Sequence, residues 1–310
     1  MRTFIFSTFL CGTAFAQIGG PFLGYVPDGT RIRPMHGLPA AGAIGASIDA
    51  GRDFSHIAIS PTQNFAIAIA ADSGEAMIVK PGVSLTTIKG ASTNPDVLAM
   101  SPRGTSAALW FPLLGHLEAI SGLPDAPAVR SIDAAFLNAS PLAIAISDDG
   151  QWAAGLFSAG VYAFGPNAEV IPLQTDPGVV ALAFFHNRHD LALSTSTRVT
   201  SIADVGGSMQ PSVLYDFSAQ PLSPRAIAIS FDNQRAIVAD AAGSLLNVAL
   251  ATGTADLVDC GCSPTGLYSL GGALFRLNGT ARRSELKLFD AAAGAVWIVP
   301  PALSEIGGRQ

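Results

Sequence analysis

A short pattern recurs along the chain: an aliphatic run ends in Ser, a polar turn follows, and an Ala-rich run comes next. Four clear copies occupy residues 56–61, 97–102, 143–148 and 226–231. A pattern that returns about every 40 residues is typical of repeat architectures, in which each copy buries its apolar faces against its neighbours. This repeat restricts the possible fold more than any other feature of the sequence.

Each repeat contains four short runs, labelled a to d. In the first complete unit they occupy residues 55–60, 65–71, 76–81 and 84–90. Short runs of β-prone residues between Pro, Gly and Asn turns are typical of strands. Five further units of four strands are predicted within residues 97–134, 142–175, 180–218, 225–260 and 266–300.

The residue that ends strand a marks each unit. These anchor positions are Ser60, Ser101, Ser147, Phe185, Ser230 and Ser269. Their mean spacing is about 42 residues, which leaves room for part of a seventh unit at the N-terminal end.

The seventh unit is predicted to be an incomplete first blade. Residues 22–28 and 31–37 have the pattern of a hairpin made of strands c and d, and residues 40–48 add an irregular strand. Seven blades are therefore favoured, with six blades plus an N-terminal hairpin as the alternative.

The apolar character of strands a and b points to a ring of blades. Residues 65–70 read Phe-Ala-Ile-Ala-Ile-Ala, so this strand has no polar face and must be buried on both sides. Residues 84–89 alternate, as an outer strand near solvent should. These patterns predict an all-β propeller of four-stranded blades, forming a single domain over residues 17–310. Its N-terminal hairpin is expected to close the ring against the last blade.

The turn between strands a and b carries a family resemblance. Ser147-Asp148-Asp149-Gly150, with the variants Ser60-Pro61 and Ser101-Pro102, is similar to the Ser-Pro-Asp-Gly turn of bacterial extracytoplasmic propellers of the YVTN, TolB-like and WD-repeat-like kind. The resemblance covers roughly residues 55–301 and is a blade signature. It implies a propeller fold.

The first residues have the pattern of a secretory signal peptide. Arg2 precedes an apolar run over residues 4–10, and Ala14-Phe15-Ala16 forms a cleavage site before Gln17. Residues 1–16 are therefore predicted to be removed, which places the mature protein in the periplasm or outside the cell. After cleavage, no stretch reaches the ~18 apolar residues that a membrane-spanning helix needs.

Two cysteines, Cys260 and Cys262, follow the signal segment. Export to an oxidising compartment favours disulfides, so these residues are predicted to form a local disulfide or to remain two free thiols in a loop. Their spacing is not the Cys-x-x-Cys of redox-active thiols.

The charge balance argues against nucleic-acid binding. The formal net charge is −6, whereas nucleic-acid partners require a basic surface. The sequence predicts a monomer without a cofactor or an integral membrane segment. It does not identify the protein or small molecule that the chain binds.

Two groups of polar residues are candidate sites. His186, His189 and Asp190 could begin a metal site, although they fall on a predicted a–b turn, where such residues are common. A second group consists of residues that each precede a strand a and so share one rim of the channel. Its members are Asp53, Asp96, Asp176 and Arg225.

The repeated anchor serine has no nucleophile-elbow sequence around it, and we expect it to bond the backbone of the turn instead.

A binding or interaction scaffold is the favoured function, and the sequence favours this role over that of an enzyme. The alternative is a hydrolase or lactonase-type enzyme with its site at the channel mouth, and a purely structural component of the cell envelope comes third. An enzyme should gather acids, His or Asn at one rim, whereas a binding module should show an apolar or aromatic rim. The candidate rim aromatics are Tyr25, Trp110, Tyr162 and Trp297.

Overall fold

The computed structural model describes residues 21–82, 84–278 and 285–300. Within these residues the chain forms seven antiparallel sheets, six of four strands and one of three, which follow one another as the blades of a propeller. The helical segments found there are two single 3₁₀ turns, Pro39–Ala41 and Ala135–Leu137, and neither could span a membrane. The prediction of an all-β, seven-bladed propeller with an incomplete first blade is confirmed, and the six-bladed alternative is wrong. The predicted signal peptide lies outside the described residues.

The strands of each blade are adjacent in sequence and run outward from the axis. Blade 1 contains β1 (Phe22–Asp28), β2 (Arg31–His36) and β3 (Ala43–Ile44). Blade 2 contains β4 (Phe54–Ile59), β5 (Ala66–Ala70), β6 (Ala76–Lys80) and β7 (Ser84–Thr87). Blade 3 contains β8 (Val97–Met100), β9 (Ala107–Phe111), β10 (His116–Ser121) and β11 (Ala128–Asp133). Blade 4 contains β12 (Ala143–Ile146), β13 (Ala153–Phe157), β14 (Gly160–Phe164) and β15 (Val170–Pro172).

The remaining blades repeat this order. Blade 5 contains β16 (Ala181–Phe184), β17 (Leu191–Ser194), β18 (Arg198–Ala203) and β19 (Gln210–Asp216). Blade 6 contains β20 (Pro224–Ile229), β21 (Arg235–Asp240), β22 (Ser244–Ala249) and β23 (Thr254–Asp259). Blade 7 contains β24 (Tyr268–Ser269), β25 (Leu274–Arg276), β26 (Leu286–Asp290) and β27 (Ala295–Val299).

The N-terminal hairpin occupies a different place in its blade from the one predicted. Strand β1 is an inner strand, because Tyr25 lines the central cavity together with the inner strands of the other blades. The carbonyl of Thr30, in the hairpin turn, accepts the N–H of Phe54 where strand a of blade 2 begins, so β1 and β2 run as strands b and c of a blade that lacks strand a. The assignment of the hairpin as strands c and d was wrong. Both kinds of hairpin are short, antiparallel and partly apolar, so the local pattern does not distinguish them. The irregular strand predicted within residues 40–48 is present as β3 and as a bridge between Ile48 and Ile32.

Blade 1 closes the ring, as predicted. On one face, Val26 and Met35 pack with Leu288 in a core shared with blade 7. On the other face, Ile32 packs with Phe54 in a core shared with blade 2. The N-terminal hairpin thus buries apolar side chains against both ends of the remaining chain.

The a–b turns of neighbouring blades are joined by polar side chains. The Asp148 carboxylate in blade 4 accepts hydrogen bonds from the backbone N–H of Arg103 in blade 3, at 2.6 Å, and of Asn187 in blade 5, at 2.8 Å. The Asn233 amide of blade 6 pairs with the backbone of His186 in both directions, at 2.9 and 3.0 Å. These bonds satisfy backbone groups that a tight turn leaves without a strand partner.

Gln63 makes the corresponding connection where the two ends of the ring meet. Its Oε1 accepts a hydrogen bond from the N–H of Tyr25 in blade 1, at 2.7 Å. Its Nε2 donates to the carbonyl of Ser269 in blade 7, at 3.1 Å. One buried side chain of blade 2 therefore fastens both the first and the last blade.

The anchor serines act within their own turns. The Ser147 hydroxyl donates to the Asp149 carboxylate, at 2.7 Å, and accepts from the N–H of Trp152, at 3.0 Å. The Ser230 hydroxyl makes the equivalent two bonds in blade 6. The predicted structural role of the repeated serine is confirmed in these turns, because each hydroxyl spans the turn between strands a and b.

The register of the last blade differs by one residue from the prediction. In blade 2 the N–H of Ser60 bonds the carbonyl of Phe65, five residues on, and four other blades do the same. In blade 7 this closing bond runs from Leu270 to Leu274, so Leu270, and not Ser269, is the anchor. The turn is one residue shorter because Gly271 and Gly272 adopt positive φ angles of 95° and 58°, which glycine allows without a steric penalty.

Replacement of Asp148 tests the bonds between turns. We expect Asp148→Ala to lower the free energy of unfolding by about 2 kcal/mol, because two backbone N–H groups lose a buried, charged acceptor. Chemical denaturation measures the change. The matched control is Asp125→Ala, whose carboxylate is 81% exposed and pairs with Lys80 at the surface. An exposed ion pair contributes about 0–1 kcal/mol, so equal losses in the two variants would contradict the proposed linkage.

Candidate functional site

A cavity of about 390 Å³ lies on the propeller axis. Inner strands of all seven blades contribute to its wall, and most of the lining side chains are apolar. Five of these strands place alanine at the same position, two residues before the anchor: Ala58, Ala99, Ala145, Ala183 and Ala228. Their short side chains leave the middle of the channel open.

Blade 7 breaks this repeat at two paired positions. With Leu270 as its anchor, the position of the channel alanine is occupied by Tyr268. The residue paired with Tyr268 on strand b is Arg276, which also lines the cavity. In the five alanine blades the corresponding strand-b residues are all buried and apolar: Ile67, Ala108, Ala154, Ala192 and Ile237. An aromatic residue and a cation therefore replace an apolar pair in one blade.

The guanidinium of Arg276 is deeply buried, with a relative exposure of 4% for the residue. Its Cζ lies 4.3 Å from the centre of the Tyr268 ring, and one Nη donates to the carbonyl of Asn278 at 2.8 Å. Within the described residues its Nε has no hydrogen-bond partner, and no carboxylate pairs with the guanidinium. Burial lowers the pKa of Arg276 to about 10, so the side chain remains a cation at neutral pH.

His186 is a second polar group in the cavity wall. Its Nε2 lies 3.2 Å from the carbonyl of Ile229, whereas its buried Nδ1 has no hydrogen-bond partner among the described residues. Its ring packs against Phe231, with 5.2 Å between the ring centres. Burial lowers the pKa of His186 below its usual value, which keeps the imidazole neutral at pH 7.

The structure does not bring the candidate metal ligands together. His186 turns into the channel wall, whereas His189 Nε2 lies 2.8 Å from the Asp149 carboxylate. Asp190 accepts the N–H of Asp204 at 2.9 Å. In the part of the chain that the structure describes, no three His, Cys, Asp or Glu side chains form a group that could hold a metal ion.

The four residues proposed for the channel rim are dispersed. Asp53 lies 3.3 Å from Arg31, and Asp176 lies 3.8 Å from Arg198. Asp96 is exposed, and Arg225 is exposed at an irregularity between β20 and β21. None of the four belongs to the described residues that line the central cavity. Their shared place before strand a selects one face of the propeller but leaves their distance from the axis undetermined.

One mouth of the channel has an apolar rim. At the face formed by the a–b turns, a groove of about 350 Å³ adjoins the cavity and shares Pro61, Gln63 and Leu270 with its wall. Phe22 and Phe231 line this groove and are 49% and 46% exposed. Such a rim is the feature expected of a binding module.

The aromatic residues nominated from the sequence are placed differently. Trp110 is buried between blades 3 and 4, and Tyr25 lines the channel. Tyr162 and Trp297 are partly buried against inter-blade cores. The exposure of Phe22 and Phe231 does not follow from the sequence, because each lies next to an apolar run, where burial is expected. Arg103 stacks over Phe231, 5.1 Å from the ring centre, and adds a cation to the rim.

Cys260 and Cys262 are joined by a disulfide. Of the two alternatives that the sequence left open, the structure therefore shows the bonded form. Cys260 packs in the core between blades 6 and 7, and neither cysteine lines the described part of the central cavity.

No protein-family model and no curated protein matches the sequence. The fold is similar to the crystal structure of a functionally unknown protein from Desulfotomaculum acetoxidans DSM 771, with a TM-score of 0.58 and 14% sequence identity. The match covers 91% of this chain and 100% of that one. At this level of identity the similarity shows the fold alone.

Proposed function

We propose that the protein is an extracytoplasmic binding propeller that holds a small organic molecule in its central channel. The observation that carries this proposal is the axial cavity of about 390 Å³, with an apolar wall and an aromatic mouth. Sites for small molecules are commonly concave, mostly apolar and about 300–1,000 Å³ in volume, with a few polar groups that orient the ligand. The channel has this composition, with Arg276 and His186 among its polar groups.

The size of the cavity favours a small molecule over a protein partner within the channel. A stable protein interface covers about 800 Å² on each partner, which usually requires a broad surface. The channel instead surrounds its contents with strands from every blade. The a–b face, with Phe22 and Phe231 beside the opening, is the proposed entrance.

The side chains that could support a hydrolase have other partners. The hydroxyls of Ser147 and Ser230 span their own turns, and His189 and Asp190 bond to different neighbours. A serine nucleophile needs a base within hydrogen-bond reach, and the Ser147 hydroxyl bonds a carboxylate instead. These contacts support binding more than catalysis.

Two features support a location outside the cytoplasm. The N-terminal residues have the charge and hydropathy of a signal peptide. The disulfide between Cys260 and Cys262 would persist in an oxidising compartment. The similarity of the blade turns to those of bacterial extracytoplasmic propellers agrees with this location.

Filling the channel tests the proposed function. The neutral fluorescent probe N-phenyl-1-naphthylamine should bind the wild-type protein, and Ala58→Trp should weaken this binding at least about tenfold by occupying the cavity. Ala58 suits this change because it lines the cavity and is not among the described residues of the inter-blade cores. Fluorescence titration measures the affinity, and circular dichroism checks that the variant folds.

The matched control is Ala251→Trp, which places the same side chain in an exposed turn. It should leave probe affinity unchanged. Equal probe binding by wild-type protein and folded Ala58→Trp would show that the channel is not the binding site. Absence of probe binding by the wild type would also contradict the proposal.

A further inference from the structure

We propose that Arg276 is an anion anchor, and that the channel ligand is an organic carboxylate with an apolar body. This inference rests on the proposed function, because it specifies the ligand of the same channel. It arises from the one blade in which the repeated apolar pair at the cavity wall is replaced by Tyr268 and Arg276.

A buried cation without a carboxylate needs an explanation, because taking it out of water is costly. The chain handles two other arginines differently. Arg33 in blade 1 pairs with the buried Asp28 carboxylate, with 2.7 Å between Nε and Oδ2. Arg130 donates to three carbonyl groups at the blade 3–blade 4 boundary, those of Gly150, Gln151 and Gly165.

Arg276 has neither arrangement. Among the described residues it donates to a single carbonyl, that of Asn278, and its Nε finds no acceptor there. The Tyr268 ring lies over the guanidinium, but an uncharged ring does not neutralise its positive charge. The remaining donors therefore suit an anion that enters the cavity, since guanidinium and carboxylate form strong, directional hydrogen bonds.

The charge balance of the wall selects the class of anion. Arg276 is the one Arg or Lys, and no Asp or Glu occurs, among the described residues that line the cavity. His186 is neutral at pH 7, because burial lowers its pKa. A single positive charge matches a monoanionic carboxylate better than a phosphate monoester, which carries close to two negative charges at neutral pH.

The other lining residues select the rest of the molecule. Aliphatic side chains and alanines of the inner strands surround the cavity, as at Ile57, Leu98 and Ile227. An apolar body would gain from burial against them, whereas a strongly polar body would lose its hydration. An aryl or alkyl carboxylate therefore satisfies both the cation and the wall.

The test compares two probes with the same apolar body, 4-phenylbutyrate, whose head is an anionic carboxylate, and 4-phenylbutyramide, whose head is a neutral amide. Isothermal titration calorimetry at pH 7 should show that wild-type protein binds the carboxylate at least about tenfold more tightly than the amide. Arg276→Gln should abolish this preference. Since the variant also removes an unpaired buried charge, it should melt no lower than wild type in the absence of ligand.

Arg130→Gln is the matched control. The substitution removes a guanidinium that donates to three carbonyls, so the variant should melt at a lower temperature than wild type. The variant should still bind the carboxylate more tightly than the amide. A wild-type protein that binds both probes equally would overturn the role of Arg276 and leave the binding channel standing. A carboxylate preference that persists in Arg276→Gln would likewise overturn the role of Arg276 and leave the binding channel standing. Binding of neither probe, together with no binding of N-phenyl-1-naphthylamine, would overturn the proposed function itself.

Discussion

Removing the N-terminal hairpin is expected to abolish cooperative folding. A chain that lacks residues 21–39 loses Val26, Ile32 and Met35, each of which is at most 3% exposed. Each buried aliphatic side chain contributes roughly 1.5–3 kcal/mol, so these three alone approach the 5–15 kcal/mol by which a typical domain is stable. The deletion also uncovers blade 7 on one side and blade 2 on the other.

Urea denaturation and size-exclusion chromatography measure this effect. We expect a lower or non-cooperative transition, and association through the uncovered sheet faces. The control is a chain that begins at Pro21 and retains β1 and β2, and the midpoint of the deletion variant is compared with the midpoint of this chain. A deletion variant with an unchanged midpoint would show that the six other blades close without the hairpin.

A single methyl group at Gly206 is expected to cost about 2–5 kcal/mol of the free energy of unfolding. Gly206 lies in a turn of blade 5 at φ +89°, and a Cβ there would overlap the Trp152 ring of blade 4. Trp152 is held in the core between these blades with Val205 and Leu191. Gly206→Ala therefore combines backbone strain with a steric conflict between two blades.

The two contributions can be separated by matched variants. Gly90 has nearly the same φ, +86°, but a Cβ there would meet no atom within 4 Å, so Gly90→Ala should cost only the backbone part, about 1–2 kcal/mol. Combining Gly206→Ala with Trp152→Leu should remove much of the steric part, which a double-mutant cycle by thermal denaturation would show. If Gly90→Ala and Gly206→Ala lose the same free energy of unfolding, the Trp152 ring moves aside without a measurable energetic penalty.

The blade pattern is accessible from the sequence because its causes are local. The run over residues 65–70 is apolar on both faces, which only a strand between two sheets can tolerate. The Ser147 turn carries its own partners, since Asp149 and Trp152 lie within five residues. The order of the four strands in blades 2 to 7 and the role of the anchor serine could therefore be predicted without coordinates.

The candidate site depends on register and on distance from the axis, which local pattern does not contain. A shift of one residue, from Ser269 to Leu270, is needed before Tyr268 aligns with the channel alanines. With this register, Arg276 pairs with Tyr268 at a strand-b position that is apolar in the five alanine blades. The double glycine at residues 271 and 272, which allows a turn shorter by one residue, is the sequence signal for this exception.

The sequence by itself determined that the chain is a propeller, because short-range apolar periodicity and turn chemistry repeat in every unit. Tertiary structure alone decided that β1 is the innermost strand of blade 1, since a b–c hairpin and a c–d hairpin look alike until their neighbours are known. It also decided that Asp53 and Asp176 have different partners in different blades, whereas Phe22 and Phe231 line one groove at the mouth of the channel. The physical reason is that ring closure brings together residues far apart in sequence, and their distances follow from packing between blades.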